Sequence, residues 1–262
     1  ALVATKYLPS LDKAVWQMSD AIEDVSASEQ NPLTPAQQLA IKRSRLSVEI
    51  LKRPSENATK YDLFQRLNAG GITANAQELR NCIVIMVNRD YAEFLRRKAE
   101  SPEFLMVLSA SDEQKEKQRH MEYASRFFVH TYVPYDGKLD VEEFIDEGIV
   151  TLAAANETHH AGDTFDATFN LLNEAFGENA LRRFQNGVPG GRVGLAAFEC
   201  IAVGIARNIV QIQSKSNQVD YVRSRIEELW AAREIQNFFI PGLRGTIRIQ
   251  RTVPFGEAWF RQ

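Results

Sequence analysis

The stretch FQRLNAGGITANAQELRN, residues 64–81, decides how the rest of this 262-residue chain reads. Ahead of its double glycine, KYDLFQRLN has the spacing of a short helix. Gly70 and Gly71 end that helix, because glycine takes positive φ without penalty and lets the backbone come close to a ligand. Beyond them, Asn75 and Glu78 stand three apart. That is capping-box spacing, in which each side chain satisfies a free backbone N–H of the other residue. The pattern is helix, turn, helix, with Arg66, Asn68 and Arg80 crowded around the turn. A guanidinium forks onto a phosphate or carboxylate. A carboxamide both donates and accepts, which suits a base, a ribose or a metal-bound water. The second helix also points its free N–H groups and positive dipole end back at the turn. An anion fits such a place. An account without a ligand fits the same spacing: the glycines stop one helix, Glu78 caps the next, and Arg66 pairs with Glu78.

Outward from this stretch the chain changes character. Upstream it is mixed. SLDKAVWQMSDAIEDVS spaces Trp16, Met18, Ile22 and Val25 roughly along one helical face, and SEQNPLTP breaks that pattern with two prolines. In IKRSRLSVEILKRPS, Leu46, Val48 and Ile50 alternate with Ser47 and Glu49, the period of a half-buried strand that Pro54 stops. A strand needs partners for its backbone groups. GTIRIQRTV, residues 245–253, is the other strand candidate. The shortage of strands, with an opening ALVATKYLPS that lacks Met, suggests that further sheet members precede Ala1. Downstream the pattern is almost wholly helical. One helix is expected from Asn75 to about Ala99, with Leu79, Ile83, Val87 and Phe94 inward. Others are expected at about 113–132, 140–156, 163–176, 193–213 and 217–234. The expected fold class is α+β, mostly α: a mixed α/β part over residues 1–81 leads into an α-helical bundle over 82–262.

Composition limits the function classes. Apolar residues are 44% and charged residues 25%, an ordinary globular balance that buries a core without metal or disulfide staples. The formal charge of −3 excludes a polycation built for nucleic acid, so any phosphate contact must come from local basic patches. No run approaches the roughly 18 apolar residues of a membrane span. The two cysteines, Cys82 and Cys200, lie in apolar runs and read as buried thiols of a reducing compartment, which points to the cytoplasm.

The motif resembles the second signature of the GmrS-like family, the N-terminal domain family of GmrSD-type type IV restriction systems, whose members carry a phrase close to lFeRiNtGG-x-Ls-x-qElRna. Phe64, Arg66, Asn68, Gly70, Gly71, Gln77, Glu78, Leu79, Arg80 and Asn81 match it. FNLLNEAFGENALRRF and LAAFECIAVGIARNI resemble the helical part of the same domain, and KYLPSL and IKRSRLSVEIL the part before the motif. The likeness covers most of the chain. It implies a ParB/sulfiredoxin-like nucleotide-binding core with a helical extension, here in partial form. It also implies NTP, with Mg2+, as the cofactor, and an NTPase activity that licenses cleavage of foreign or modified DNA in antiphage defence. Arg66, Asn68, Gly70 and Gly71 would line the nucleotide pocket, and Glu78 and Arg80 would brace the turn or reach the same pocket. The family's Asp-Gly-Gln-Gln-Arg signature and its C-terminal nuclease domain are not in this sequence. The motif is thus half of a site, no catalytic residue is assigned, and a nuclease would be attached elsewhere or supplied by a partner subunit. The chain alone is expected to turn over NTP slowly or not at all.

Weaker candidates remain. Arg244, Arg248 and Arg251 make a basic edge on the expected strand TIRIQRTV, able to touch DNA backbone; a charged, solvated strand edge is the plainer account. KRSR at 42–45 is similar. PGGR, residues 189–192, could bind an anion, although no Lys or Thr follows to make it a P-loop. His159 and His160 are adjacent and lack ligand partners at metal spacing, and His120 and His130 lie too far apart along one helix to chelate. No metal site is expected. Two functions stay open: the nucleotide-sensing module of a restriction system, and a non-catalytic helical scaffold or regulatory module of a defence complex.

Overall fold

The computed structural model of the chain describes residues 13–22, 25–45, 75–185, 187–240 and 242–261. Most of the described residues are helical, with four very short strands. The expected strand at Leu46–Ile50, and with it Arg66, Asn68, Gly70 and Gly71, lies outside the described residues. The chain divides into two compact units, Ala1–Pro54 and Ser55–Gln262.

In the first unit, β1 (Ala14–Val15) pairs in parallel with β2 (Asn31–Pro32), and α1 (Pro35–Arg43) follows. The helix expected around Trp16 and Met18 is not formed: Ala14 and Val15 are extended and buried, while Trp16 and Met18 are exposed. Gln30 overrides the helical spacing, because its buried carboxamide ties this segment back on itself. Its Nε2 donates to the carbonyls of Ser19 and Val25 at 2.8 and 3.1 Å. α1 starts with a capping box of Thr34 and Gln37.

The second unit is a helical body. α2 (Ala76–Val87) and α3 (Arg89–Ala99) replace the single helix expected to Ala99. Asn88 makes the break: its backbone is extended, its Oδ1 caps α3 at Tyr91 N (3.1 Å), and its Nδ2 donates to the Ala153 carbonyl (3.0 Å). α4 (Pro102–Leu108), α5 (Asp112–Glu116) and α6 (Arg119–Tyr132) come next. Gln118, at φ +58°, separates α5 from α6 inside the helix expected at 113–132. α7 (Val141–Ala155) agrees with the expected 140–156, and α8 (Thr158–Phe176) begins five residues earlier than the expected 163–176. An antiparallel hairpin, β3 (Arg183–Gln185) with β4 (Val188–Gly190), then leads into α9 (Leu195–Phe198). α9 continues through a π-helical turn, Glu199–Val203, into α10 (Gly204–Arg207). α11 (Ile209–Gln213), α12 (Gln218–Ala231), α13 (Arg233–Gln236) and α14 (Gly245–Arg261) complete the body.

α6 supplies the centre of the core. Phe127 and Phe128 are fully buried and meet Phe165 of α8 at 5.1 and 5.3 Å between ring centroids. Phe104 of α4 meets Phe169 edge-on at 4.6 Å.

α14 corrects the strand expected at residues 245–253. Its local alternation of Ile247 and Ile249 is overridden by a helical set: Ile249, Thr252, Val253, Gly256 and Phe260 are the buried positions, one face of a 3.6-residue period. Gly256 sits against the π-helical turn so closely that a Cβ there would lie 2.1 Å from the Cys200 carbonyl oxygen. A Cβ on Gly204 would lie 2.7 Å from Gly256 backbone. Two glycines thus let two helix backbones touch.

Candidate functional site

The second half of the opening motif is seen in full. Asn75 Oδ1 accepts from Glu78 N at 3.0 Å and Glu78 Oε2 accepts from Asn75 N at 2.8 Å, so the capping box forms as its spacing requires. Glu78 is thereby committed to the start of α2. Arg80 is wholly buried, and its guanidinium meets three acceptors. Nε donates to Asp146 Oδ1 at 2.7 Å, Nη2 to Glu142 Oε2 at 3.0 Å, and Nη1 to Gln77 Oε1 at 2.7 Å. Gln77 is buried beside it and donates to Asn81 and to Ser125 of α6. Arg126 joins from α6, donating to Glu142 at 2.5 Å. Burial alone would raise the Glu142 carboxyl, but Arg126 and Arg80 outweigh it and hold the group below the usual carboxylate range. The run QELRN therefore ties α2 to α6 and α7 through a charged network.

Gln77, Arg80 and Glu142 of this network line a cleft of about 750 Å3. The cleft runs from Asn75, Gln77 and Arg80 along the α4–α5 loop and the start of α6 to the PGGR turn, where Gly191, Arg192 and Val193 line it. Five cationic side chains face it against three carboxylates, a surplus of positive charge on a chain that is negative overall. Most of that charge is locally paired: Lys117 with Glu113, Arg119 with Glu122, Arg182 with Glu178. Among the described residues, Arg192 alone of the five has no charged or hydrogen-bonding partner. His120 lines the same cleft, is 8% exposed, and buries an Nδ1 that nothing in the protein satisfies. Burial holds its imidazole below the ordinary pKa, so it is neutral at pH 7.

A second cleft, of about 710 Å3, lies between the end of α6 and α14. Pro134 has no N–H to offer the His130 carbonyl four residues back. Arg207 takes its place, donating to that oxygen from Nη2 (2.6 Å) and Nε (3.2 Å) while Nη1 pairs with Glu257 (2.7 Å). Its charges balance, and it has none of the cationic surplus of the first cleft.

The basic edge expected at residues 244–251 is not a strand edge. Arg248 turns inward from α14: its Nε and Nη2 grip both oxygens of Glu199, which is fully buried in the π-helical turn, at 2.9–3.1 Å. Thr252 Oγ1 donates to the same carboxylate at 2.6 Å. Arg248 is therefore structural, while Arg244 and Arg251 are exposed. Cys200 is buried beside this pair and its thiol is pushed up by burial; Cys82 is partly exposed, and both are free.

No cluster of three His, Cys, Asp or Glu side chains suited to a metal occurs among the described residues. The carboxylates lining the first cleft each hold a cation already, so these residues do not compose a Mg2+ site. Among the described residues, no helix is long and apolar enough to cross a membrane. Neither family models, nor curated proteins, nor solved structures gave a match to this chain.

The network around Arg80 carried no signal in the sequence, because its partners stand 62 and 66 residues downstream. The cleft had a faint one: PGGR and the start of α2 were each marked as places for an anion, but nothing in their spacing joins them.

Proposed function

We propose that this chain is the nucleotide-binding module of a DNA restriction protein acting in antiphage defence in the cytoplasm. A nucleoside triphosphate occupies the cleft lined by Asn75, and Arg66, Asn68, Gly70 and Gly71 bind the same nucleotide as part of a partial ParB/sulfiredoxin-like core. Binding or hydrolysis of that nucleotide licenses DNA cleavage by a nuclease that is attached elsewhere or brought by a partner subunit. DNA is contacted through local patches that include Arg244 and Arg251.

One observation carries this: a cation-rich cleft of nucleotide size opens at the first residues of α2, directly after the double-glycine motif. Ligand clefts fall at about 300–1,000 Å3. Phosphoryl transfer asks a protein mainly for positioning and charge neutralisation, which guanidinium groups provide.

A non-catalytic scaffold role is favoured by a different observation. Glu78 and Arg80 are spent on capping α2 and tying it to α6 and α7, so this half of the motif serves the fold. Calorimetry separates the two roles. The chain is expected to bind nucleoside triphosphate, and Asn68→Ala to weaken that binding at least tenfold with its unfolding curve unchanged. Equal affinity in the two proteins would remove Asn68 from the site, and no binding by either would leave the scaffold.

A further inference from the structure

The PGGR turn, whose open glycines suit an anion, lines the same cleft as the start of α2, more than a hundred residues earlier in the chain. The turn is fixed on both sides of its arginine. Arg182 Nη1 donates to the Gly191 carbonyl at 3.5 Å while its Nη2 holds Ser109 Oγ at 2.7 Å. On the other side, Tyr123 Oη donates to the Val193 carbonyl at 3.3 Å. Gly191 has φ +76°, a conformation that glycine adopts without strain. Nothing lies within 4 Å of where side chains on Gly190 or Gly191 would begin, so the backbone is open to an approaching group. Arg192 is thus held by its neighbours and lines the cleft with an exposed, uncommitted side chain. A guanidinium placed without a protein partner suits an anion that arrives with the ligand. His120 lines this cleft and also a smaller cavity between α2 and α3, and it buries a ring nitrogen that no protein group satisfies.

We infer that the PGGR turn is the polyphosphate-binding element of this protein: Arg192 grips the phosphates of a small ligand in the cleft that the ion-paired Arg182 and Arg119 also line. This rests on the nucleotide reading above and assigns the phosphate end of that ligand to the helical body. A concave cleft of this volume encloses a small polyphosphate, whereas duplex DNA needs a long open surface.

The test uses the 262-residue chain and inorganic tripolyphosphate, followed by calorimetry at about 50 mM salt, where charge-driven binding is little screened. The chain is expected to bind tripolyphosphate, Arg192→Ala to weaken it at least tenfold, and Arg192→Lys to recover part of the loss. Arg97→Ala, an exposed change on α3 away from the cleft, is expected to leave it unchanged. Arg192 has no partner to lose, so its variants should melt as the parent does. No tripolyphosphate binding, or affinities of parent and Arg192→Ala within twofold, overturns the inference. Tighter Arg192-dependent binding of a duplex oligonucleotide than of tripolyphosphate also overturns it. The nucleotide reading fails separately. If Arg192 governs tripolyphosphate binding but no nucleoside triphosphate competes, the phosphate site stands and that reading falls. If triphosphate binds through Asn68 and Arg192→Ala changes nothing, the reverse holds.

Discussion

Replacing Arg80 with alanine leaves the Asp146 and Glu142 carboxylates without their shared cation and Gln77 Oε1 without its donor. Asp146 and Glu142 are partly solvated and Glu142 keeps Arg126, so the loss is about 1–3 kcal/mol, less than for a fully buried pair. Arg80→Ala is therefore expected to lower the urea midpoint sharply, and any loss of ligand binding in it reports unfolding; a midpoint within experimental error of the parent would contradict the network. Arg192 and Asn68 are the clean probes. The capping box of Asn75 and Glu78 was legible because a cap is local, three residues long. Arg80's role was not, because a guanidinium beside a glycine turn looks the same in sequence whether it faces a phosphate or two distant carboxylates. His130 makes the other residue-scale prediction. It is fully buried against Phe144, and burial, with the Arg126, Arg248 and Arg207 charges, pushes its pKa down to about 3. In the unfolded chain it returns to about 6.5. Between those values the unfolded state binds a proton that the folded state refuses. The depressed pKa thus leaves stability intact above about pH 6.5 and removes about 1.4 kcal/mol for each pH unit below it. His130→Phe keeps the ring and discards the proton site, so its urea stability should fall less steeply from pH 6.5 to 4.5. An unchanged slope would mean that the folded protein protonates His130.

At the scale of elements, α14 is where local pattern and tertiary packing disagree. TIRIQRTV carries alternating β-branched residues, and read alone it is a strand. Its helical face appears only once Val253, Gly256 and Phe260 are included, and its reason lies on another helix: Cys200 carbonyl presses on Gly256, and Glu199 takes Arg248 and Thr252. Such π-helical turns often mark functional sites, but this one is filled by an ion pair internal to the protein. Gly256→Ala should cost about 3 kcal/mol or more, since the new Cβ meets backbone that cannot swing aside. A thermal midpoint within a degree of the parent would show that the helices can part. α7 was legible because its ends are local: Asp140 accepts from Glu143 N and Asn156 closes the helix with positive φ. The division of the expected 75–99 helix was not, since Asn88 breaks it by reaching Ala153 on α7.

Across the whole molecule, the helical body was foreseen from apolar spacing, and the cleft was not, because separated segments compose it: the start of α2, the α4–α5–α6 connections, Glu142 of α7, Arg182 and the PGGR turn. Sequence spacing finds faces of single helices; it does not find a cavity whose walls are a hundred residues apart. Those walls give the proposed function its content, because a cap, a charged network and an uncommitted arginine line one cavity. Photo-crosslinking with an azido-substituted nucleoside triphosphate, followed by peptide mapping of the labelled chain, tests that claim most directly. Label confined to residues 64–81, the 109–123 segment and the PGGR turn, and displaced by unmodified triphosphate, is the predicted result. Label confined to the α6–α14 cleft, or none that unmodified triphosphate displaces, would contradict it.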